Sequence, residues 1–140
     1  MSKLKSLGVQ LLLYLEECDP ILLDDITVIT NLLRTAAFKG GADIVGESFH
    51  KFSPLGVTGV ISIAESHIFI HTWPEYSYAA VDIFSCGNSF NAEVASETLT
   101  LGIKSKKQTI TRINRGLRGC LLYTSPSPRD ATLSRMPSSA

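Results

Sequence analysis

The chain has 140 residues, 44% of them hydrophobic, and its 13 basic residues balance 13 acidic ones. This length suits one small domain with a packed core, and the neutral charge gives no electrostatic reason to expect nucleic acid or an anionic membrane as a partner. Three cysteines fit neither a disulfide framework nor a paired metal motif, and the N-terminus shows no leader or membrane span. We therefore expect a cytoplasmic protein with reduced thiols.

The first half of the chain predicts a strand, a helix and two further strands. The apolar run 8–18 predicts the first strand. Residues 19–41 predict one helix, which an aspartate caps, a proline begins and a glycine pair ends. Two strands are then predicted over 42–52 and 56–65, separated by a Ser-Pro-Leu-Gly turn.

The second half adds two strands, a helix and a last strand. Residues 66–73 and 78–86 predict strands that a proline and a glycine stop. Residues 88–102 predict a helix with Phe90, Val94 and Leu101 on one apolar stripe, and 104–116 alternate weakly as a strand. The order β-α-β-β-β-β-α-β predicts a two-layer α/β sandwich, with a mostly antiparallel sheet and two helices on one face. The other face carries apolar and reactive side chains, so we expect a second copy to bury it.

Reactive side chains interrupt the two central strands. Strand alternation places His67, Phe69, His71 and Trp73 on one side of the first strand, and Ala80, Asp82, Phe84 and Cys86 on one side of the second. A histidine and a cysteine from the two strands could therefore meet across the sheet if the register allows it. Taken singly, a strand histidine is usually structural and a strand cysteine usually a small hydrophobe. The chain has no G-x-S-x-G elbow, no zinc-type spacing and no phosphate loop. From these residues alone, the prediction stops at an α/β domain with a possible nucleophile.

The stretch "SFHKFSPLGVTGVISIAESHIFIHTWPEYSYAAVDIFSCG", residues 48–87, carries a far more specific signal. Its motifs "ESH", "IHTWPEY", "AAVD" and the late "CG" occur together in order and spacing. In this it resembles the prokaryotic S-adenosylmethionine decarboxylase proenzymes, which make their own pyruvoyl cofactor. Weaker similarity extends the resemblance over nearly all of residues 7–118.

The resemblance implies that the chain cleaves itself between Glu65 and Ser66. The Ser66 hydroxyl attacks the Glu65 carbonyl to form an ester, β-elimination cleaves the chain at that ester, and hydrolysis leaves a pyruvoyl group derived from Ser66. Residues 1–65 become the β chain and residues 66–119 the α chain. His71 corresponds to the base that removes the Ser66 α-proton. Thr58 stands where the family has a serine that supports processing, which adds a methyl group to that position.

The resemblance also implies the roles of residues in turnover. The pyruvoyl ketone forms a Schiff base with the substrate amine and accepts electrons as the carboxylate leaves, as pyridoxal phosphate does. Cys86 corresponds to the acid that protonates the product, Phe52 to an aromatic that stacks on adenine, and Glu75 to a carboxylate that holds the ribose hydroxyls. The product serves polyamine (spermidine) synthesis. The family further implies a homodimer in which both protomers contribute to each site.

Two alternatives remain open at this point. The same scaffold and chemistry could act on arginine or ornithine, although Phe52 and Glu75 favour a nucleoside. The chain could also be a non-cleaving, catalytically dead homologue.

The last segment, residues 120–140, breaks from the rest in composition, being rich in serine, proline and arginine without an apolar period. "CLLYTSPSPRD" and "SRMPSSA" resemble, in the right order, a translated sequencing adapter and the primer site that follows it. We therefore expect a single natural domain over residues 1–119 and a non-native tail beyond it.

Overall fold

A computed structural model of the chain describes residues 5–86 and 90–118, so the predicted adapter-derived tail lies outside the described residues. These residues form six strands and three helices, followed in order along the chain: β1 (Lys5–Glu16), α1 (Pro20–Leu23), α2 (Ile26–Lys39), β2 (Gly46–Lys51), β3 (Val57–Ile63), β4 (Ser66–Trp73), β5 (Tyr78–Cys86), α3 (Ala92–Gly102) and β6 (Lys107–Arg118). A short 3₁₀ turn, Pro74–Tyr76, links β4 to β5. No helix within these ranges is both long and apolar enough to cross a membrane.

The six strands form one sheet in the order β2-β3-β4-β5-β1-β6, and each neighbouring pair is antiparallel. The core lies between this sheet and the helices, where alternate residues of the central strands are buried: Leu11, Leu13, Leu15, Ile61, Ile68, Ile70, Val81 and Ile83. The α/β sandwich prediction is confirmed. The sheet is more regular than expected, since all its pairs are antiparallel rather than most of them.

The long helix predicted over residues 19–41 is wrong in one respect, because the structure divides it into α1 and α2. The Asp25 carboxylate accepts hydrogen bonds from the N–H groups of Thr27 and Val28, at 2.9 and 3.2 Å, and so begins a second helix. A side chain that caps the backbone in this way competes with continuation of the helix. The break leaves Asp24 free to face another element.

The apolar stripe predicted for the last helix was also partly wrong. Leu101 is 70% exposed, and Phe90 is buried but precedes α3. The residues that face the core are smaller and follow helical spacing: Ala92, Ala95, Ser96 and Leu99. Their small side chains let α3 lie close to the sheet and α2.

The face of the sheet opposite the helices is here called the open face. One row of paired residues runs across it from β2 to β1: His50, Thr58, His71, Ala80 and Tyr14. Tyr14 and Trp73 are 49% and 39% exposed there, which is high for aromatic side chains on a sheet. The open face is therefore partly apolar, and none of the residues that the structure describes covers it.

Candidate active site

Cys86 makes two contacts with the peptide unit between Glu65 and Ser66. Ser66 is the first residue of β4 and is only 6% exposed. The N–H of Cys86, at the end of β5, donates to Ser66 Oγ at 3.0 Å. The Cys86 thiol donates to the Glu65 carbonyl oxygen, with 3.5 Å between Sγ and O. One residue thus contacts both the hydroxyl and the carbonyl that the predicted cleavage would join, and we call these three residues the Ser66 cluster.

His71 lies further along β4, on the open face, in contact with Thr58 of β3. Register pairs the two residues, and a hydrogen bond joins Thr58 Oγ1 and His71 Nδ1 at 3.2 Å. The imidazole stacks on Phe69, with ring centroids 5.2 Å apart, and lies 6.3 Å from the Trp73 ring. The threonine hydroxyl thus contacts the imidazole directly in spite of its extra methyl group, and its part in processing stays a prediction.

Phe52 and Glu75 extend the same end of the sheet. Phe52 follows β2, is 45% exposed, and meets the His50 ring edge to face at 4.5 Å between centroids. Glu75 lies in the 3₁₀ turn after β4 and lines a surface cavity of about 570 Å³ that Asp24 and Lys51 also border. We call Phe52, Thr58, His71 and Glu75 the His71 cluster.

The two clusters lie at opposite ends of β4. His71 is five residues beyond Ser66, which at about 3.3 Å per residue corresponds to about 17 Å along the strand. Register places Ala80, not Cys86, opposite His71, and pairs Phe84 with His67. The possibility that His71 and Cys86 meet across neighbouring strands is therefore excluded within one chain. The histidine near Cys86 is His67, which stacks on Phe84 at 5.7 Å.

Sequence reasoning missed two residues that hold the His71 cluster in place. Asp24 Oδ1 accepts the Gly56 N–H at 2.8 Å and pairs with the Lys51 ammonium at 3.0 Å. Thr72 Oγ1, on the buried side of β4, donates to the Leu23 carbonyl at 2.9 Å. Asp24 thus ties the end of α1 to the turn that follows Phe52, and Thr72 ties it to β4. The adjacent acids at positions 24 and 25 were the available signal, since one helix needs only one of them as a cap.

The surroundings of the Asp24 carboxyl favour its ionised form. The Gly56 N–H and, less strongly, the Lys51 side chain lower the pKa of the Asp24 carboxyl below its usual range. A lowered folded-state pKa means that the contribution of this carboxylate to stability is present at neutral pH and is lost as the pH falls through the lowered pKa. The turn beside Phe52 is therefore held by a charged group under ordinary conditions.

Comparison with known proteins gives a consistent result. The family model described as S-adenosylmethionine decarboxylase matches residues 9–116. A S-adenosylmethionine decarboxylase proenzyme of Thermodesulfovibrio yellowstonii is 43% identical over 112 residues, 80% of this chain and 83% of that protein. One from Thermotoga maritima is 41% identical over 130 residues, 93% of this chain and all of that protein. A solved structure of the Aquifex aeolicus adenosylmethionine decarboxylase superposes with a TM-score of 0.76 at 30% identity, covering 89% of this chain and 99% of the other.

Proposed function

Because the chain belongs to the S-adenosylmethionine decarboxylase family, we propose that it decarboxylates S-adenosylmethionine with a pyruvoyl group made from its own Ser66. The product is the decarboxylated form used in polyamine synthesis. The single observation that carries the maturation step is the double contact of Cys86 with Ser66 Oγ and the Glu65 carbonyl. The residues present fit the pyruvoyl group, since its precursor serine is held beside an acid-capable thiol.

The first chemical step needs only groups of the Ser66 cluster. Ser66 Oγ bonds to the Glu65 carbonyl carbon, the C–N bond breaks, and the hydroxyl proton ends on the Ser66 nitrogen. Negative charge develops on the Glu65 carbonyl oxygen as the new bond forms. The Cys86 thiol donates to that oxygen and stabilises the charge, as a donor of an oxyanion hole does. Removal of the Ser66 α-proton then expels the Glu65 carboxylate from Ser66 Cβ and splits the chain into residues 1–65 and residues 66–119. Hydrolysis of the resulting enamine releases ammonia and leaves the pyruvoyl group.

In turnover, the pyruvoyl group supplies an electron sink for the loss of carbon dioxide. Cys86 is the acid that returns a proton to the product, because its thiol lies beside Ser66, where the pyruvoyl group would form. Phe52 offers an exposed ring face for adenine. Glu75 offers a carboxylate that accepts hydrogen bonds from the ribose hydroxyls.

The separation of the clusters supports a homodimer as the working unit. His71 reaches an α-proton about 17 Å away only if it belongs to a second chain. Two open faces packed against each other, with a two-fold axis crossing β4 between positions 68 and 69, exchange positions 66 and 71. Such a dimer also buries the exposed aromatic side chains of the open face, and two-fold dimers are the commonest assembly. Each site would then combine one chain's Ser66 cluster with the partner's His71 cluster.

The substrate is tested by measuring carbon dioxide release from three carboxyl-labelled amino acids. We expect release from S-adenosylmethionine and at least about 100-fold less from arginine or ornithine, because neither offers a base for Phe52 or a ribose for Glu75. Phe52→Ala should raise KM for S-adenosylmethionine, whereas Phe38→Ala, an exposed phenylalanine at the end of α2, serves as the matched control. Preferred release from arginine or ornithine would contradict the assignment.

His71 and Cys86 should have separable roles. His71→Ala should stall at the ester, slowing chain separation by about 10²-fold or more, because only α-proton removal needs that base. Hydroxylamine should cleave the stalled chain, since esters yield to it and amides do not. Cys86→Ala should still process, at least in part, yet lose about 10²–10⁴-fold in kcat. A Cys86→Ala enzyme that turns over at the parent rate would exclude the acid role, and a His71→Ala chain that separates normally would exclude the base.

A further inference from the structure

The turn that contains the cleavage site has an unfavourable backbone. Ile63 of β3 pairs with Ser66 of β4, so Ala64 and Glu65 alone form the hairpin loop. Ala64 has a φ of +48°, in the left-handed region. That region suits glycine or asparagine, which two-residue hairpins normally use, and is disfavoured for a residue with an ordinary Cβ.

The surrounding structure prevents this turn from relaxing. Ile63 and Ser66 are 5% and 6% exposed, so neither strand end can shift without disturbing the core. Ser66 is also tied to Cys86 through its hydroxyl, and Glu65 through its carbonyl. A strained backbone conformation persists only where neighbouring contacts hold it in place, and such conformations concentrate at functional sites.

The proposed acyl shift changes the length of this loop. In the amide, one atom, the Ser66 nitrogen, lies between the Glu65 carbonyl carbon and Ser66 Cα. In the ester, two atoms, Oγ and Cβ, lie between them, because the new bond runs through the side chain. The loop therefore gains an atom while the strand ends stay fixed, and Ala64 no longer needs a left-handed conformation to close the turn.

We infer that the left-handed conformation of Ala64 raises the energy of the uncleaved amide relative to the ester and so drives the first step of self-cleavage. This inference rests on the proposed self-processing function. Ala64 acts here as a positioning residue, because it touches neither base nor substrate. Substitutions at position 64 that relieve the backbone strain should therefore slow self-cleavage.

The test compares the half-time of chain separation among turn variants on denaturing gels. Ala64→Gly and Ala64→Asn should each separate about five-fold more slowly than the parent, the equivalent of about 1 kcal/mol. Lys104→Gly is the matched control, since Lys104 also has a left-handed φ, +57°, but lies after α3, away from the turn. It should leave the half-time unchanged.

A second measurement isolates the equilibrium itself. In a His71→Ala background, which holds the chain before elimination, Ala64→Gly should lower the hydroxylamine-sensitive ester fraction by a similar factor. An unchanged half-time or ester fraction for Ala64→Gly would overturn the inference while leaving self-processing intact. A slow Ala64→Gly with Ala64→Asn at the parent rate would also overturn it, because flexibility rather than strain would then be the cause. A parent chain that never separates would overturn both this inference and the proposed function.

Discussion

The Ser66→Ala chain should remain whole indefinitely, whereas the parent chain should separate into two without any protease. The expected loss is complete, because the Ser66 hydroxyl supplies the only atom that can form the ester and also becomes part of the pyruvoyl group. The measurement is denaturing electrophoresis with intact mass of both products, which should correspond to a break after Glu65. Borohydride reduction in the presence of substrate should leave an adduct on the α chain alone.

Ser62→Ala provides the matched control for this experiment. Ser62 belongs to the same hairpin and pairs with His67, but its side chain is exposed and contributes nothing to the Ser66 cluster. That variant should cleave like the parent. A Ser66→Ala chain that still breaks after Glu65 would refute the assignment of Ser66. A parent that stays whole would instead favour the alternative of a non-cleaving homologue.

Mixed dimers should restore cleavage to chains that cannot cleave on their own. Neither Ser66→Ala nor His71→Ala should separate efficiently as a homodimer, because each lacks one of the two clusters. In a mixed dimer, the Ser66 cluster of the His71→Ala chain faces the intact His71 of its partner. With equal amounts and random pairing, about half of the His71→Ala chains should therefore be cleaved, and no Ser66→Ala chain should be.

The two chains are co-expressed with tags of different size, so that each product is identified on one gel. The control pairs His71→Ala with a chain that carries both substitutions, Ser66→Ala and His71→Ala. That combination has no intact histidine and should show no rescue. If the mixture of single variants gives no cleavage while mixed dimers are present by mass, His71 acts elsewhere than across the interface. A fully active monomer at assay dilution would refute the shared site altogether.

Local patterns were sufficient to predict the two central strands. Residues 66–73 and 78–86 are short apolar-rich runs that a proline and a glycine stop, and their predicted bounds agree with β4 and β5. The helical region 19–41 was harder, because its apolar spacing continues through Asp24 and Asp25. Asp25 begins a second helix there, which leaves Asp24 to contact Gly56, 32 positions further along the chain. Composition and period within one segment carry no information about such a partner.

The arrangement of the site depended on register and on assembly, which a single sequence shows only indirectly. Alternation placed His71 and Cys86 on a common face, but their separation followed from the pairing of His71 with Ala80. The family resemblance named the residues without saying which chain each one serves. That assignment comes from the length of β4, since one rigid strand holds the two clusters too far apart to act on each other.

The strand order affects whether the cleaved protein can refold after denaturation. The proposed cleavage after Glu65 would assign β1, β2 and β3 to one chain and β4, β5 and β6 to the other. In the sheet order β2-β3-β4-β5-β1-β6, the second chain's β4 and β5 are inserted between the first chain's β3 and β1, while β6 flanks β1 on the outer side. The fragments are thus interleaved, and the hairpin link that brought β3 and β4 together is gone. Folding before cleavage is a unimolecular process, but reassembly afterwards needs two fragments to meet and thread their strands in order. We expect the processed protein, once denatured, to recover poorly and in a concentration-dependent way, so that its lifetime is set by how slowly it unfolds.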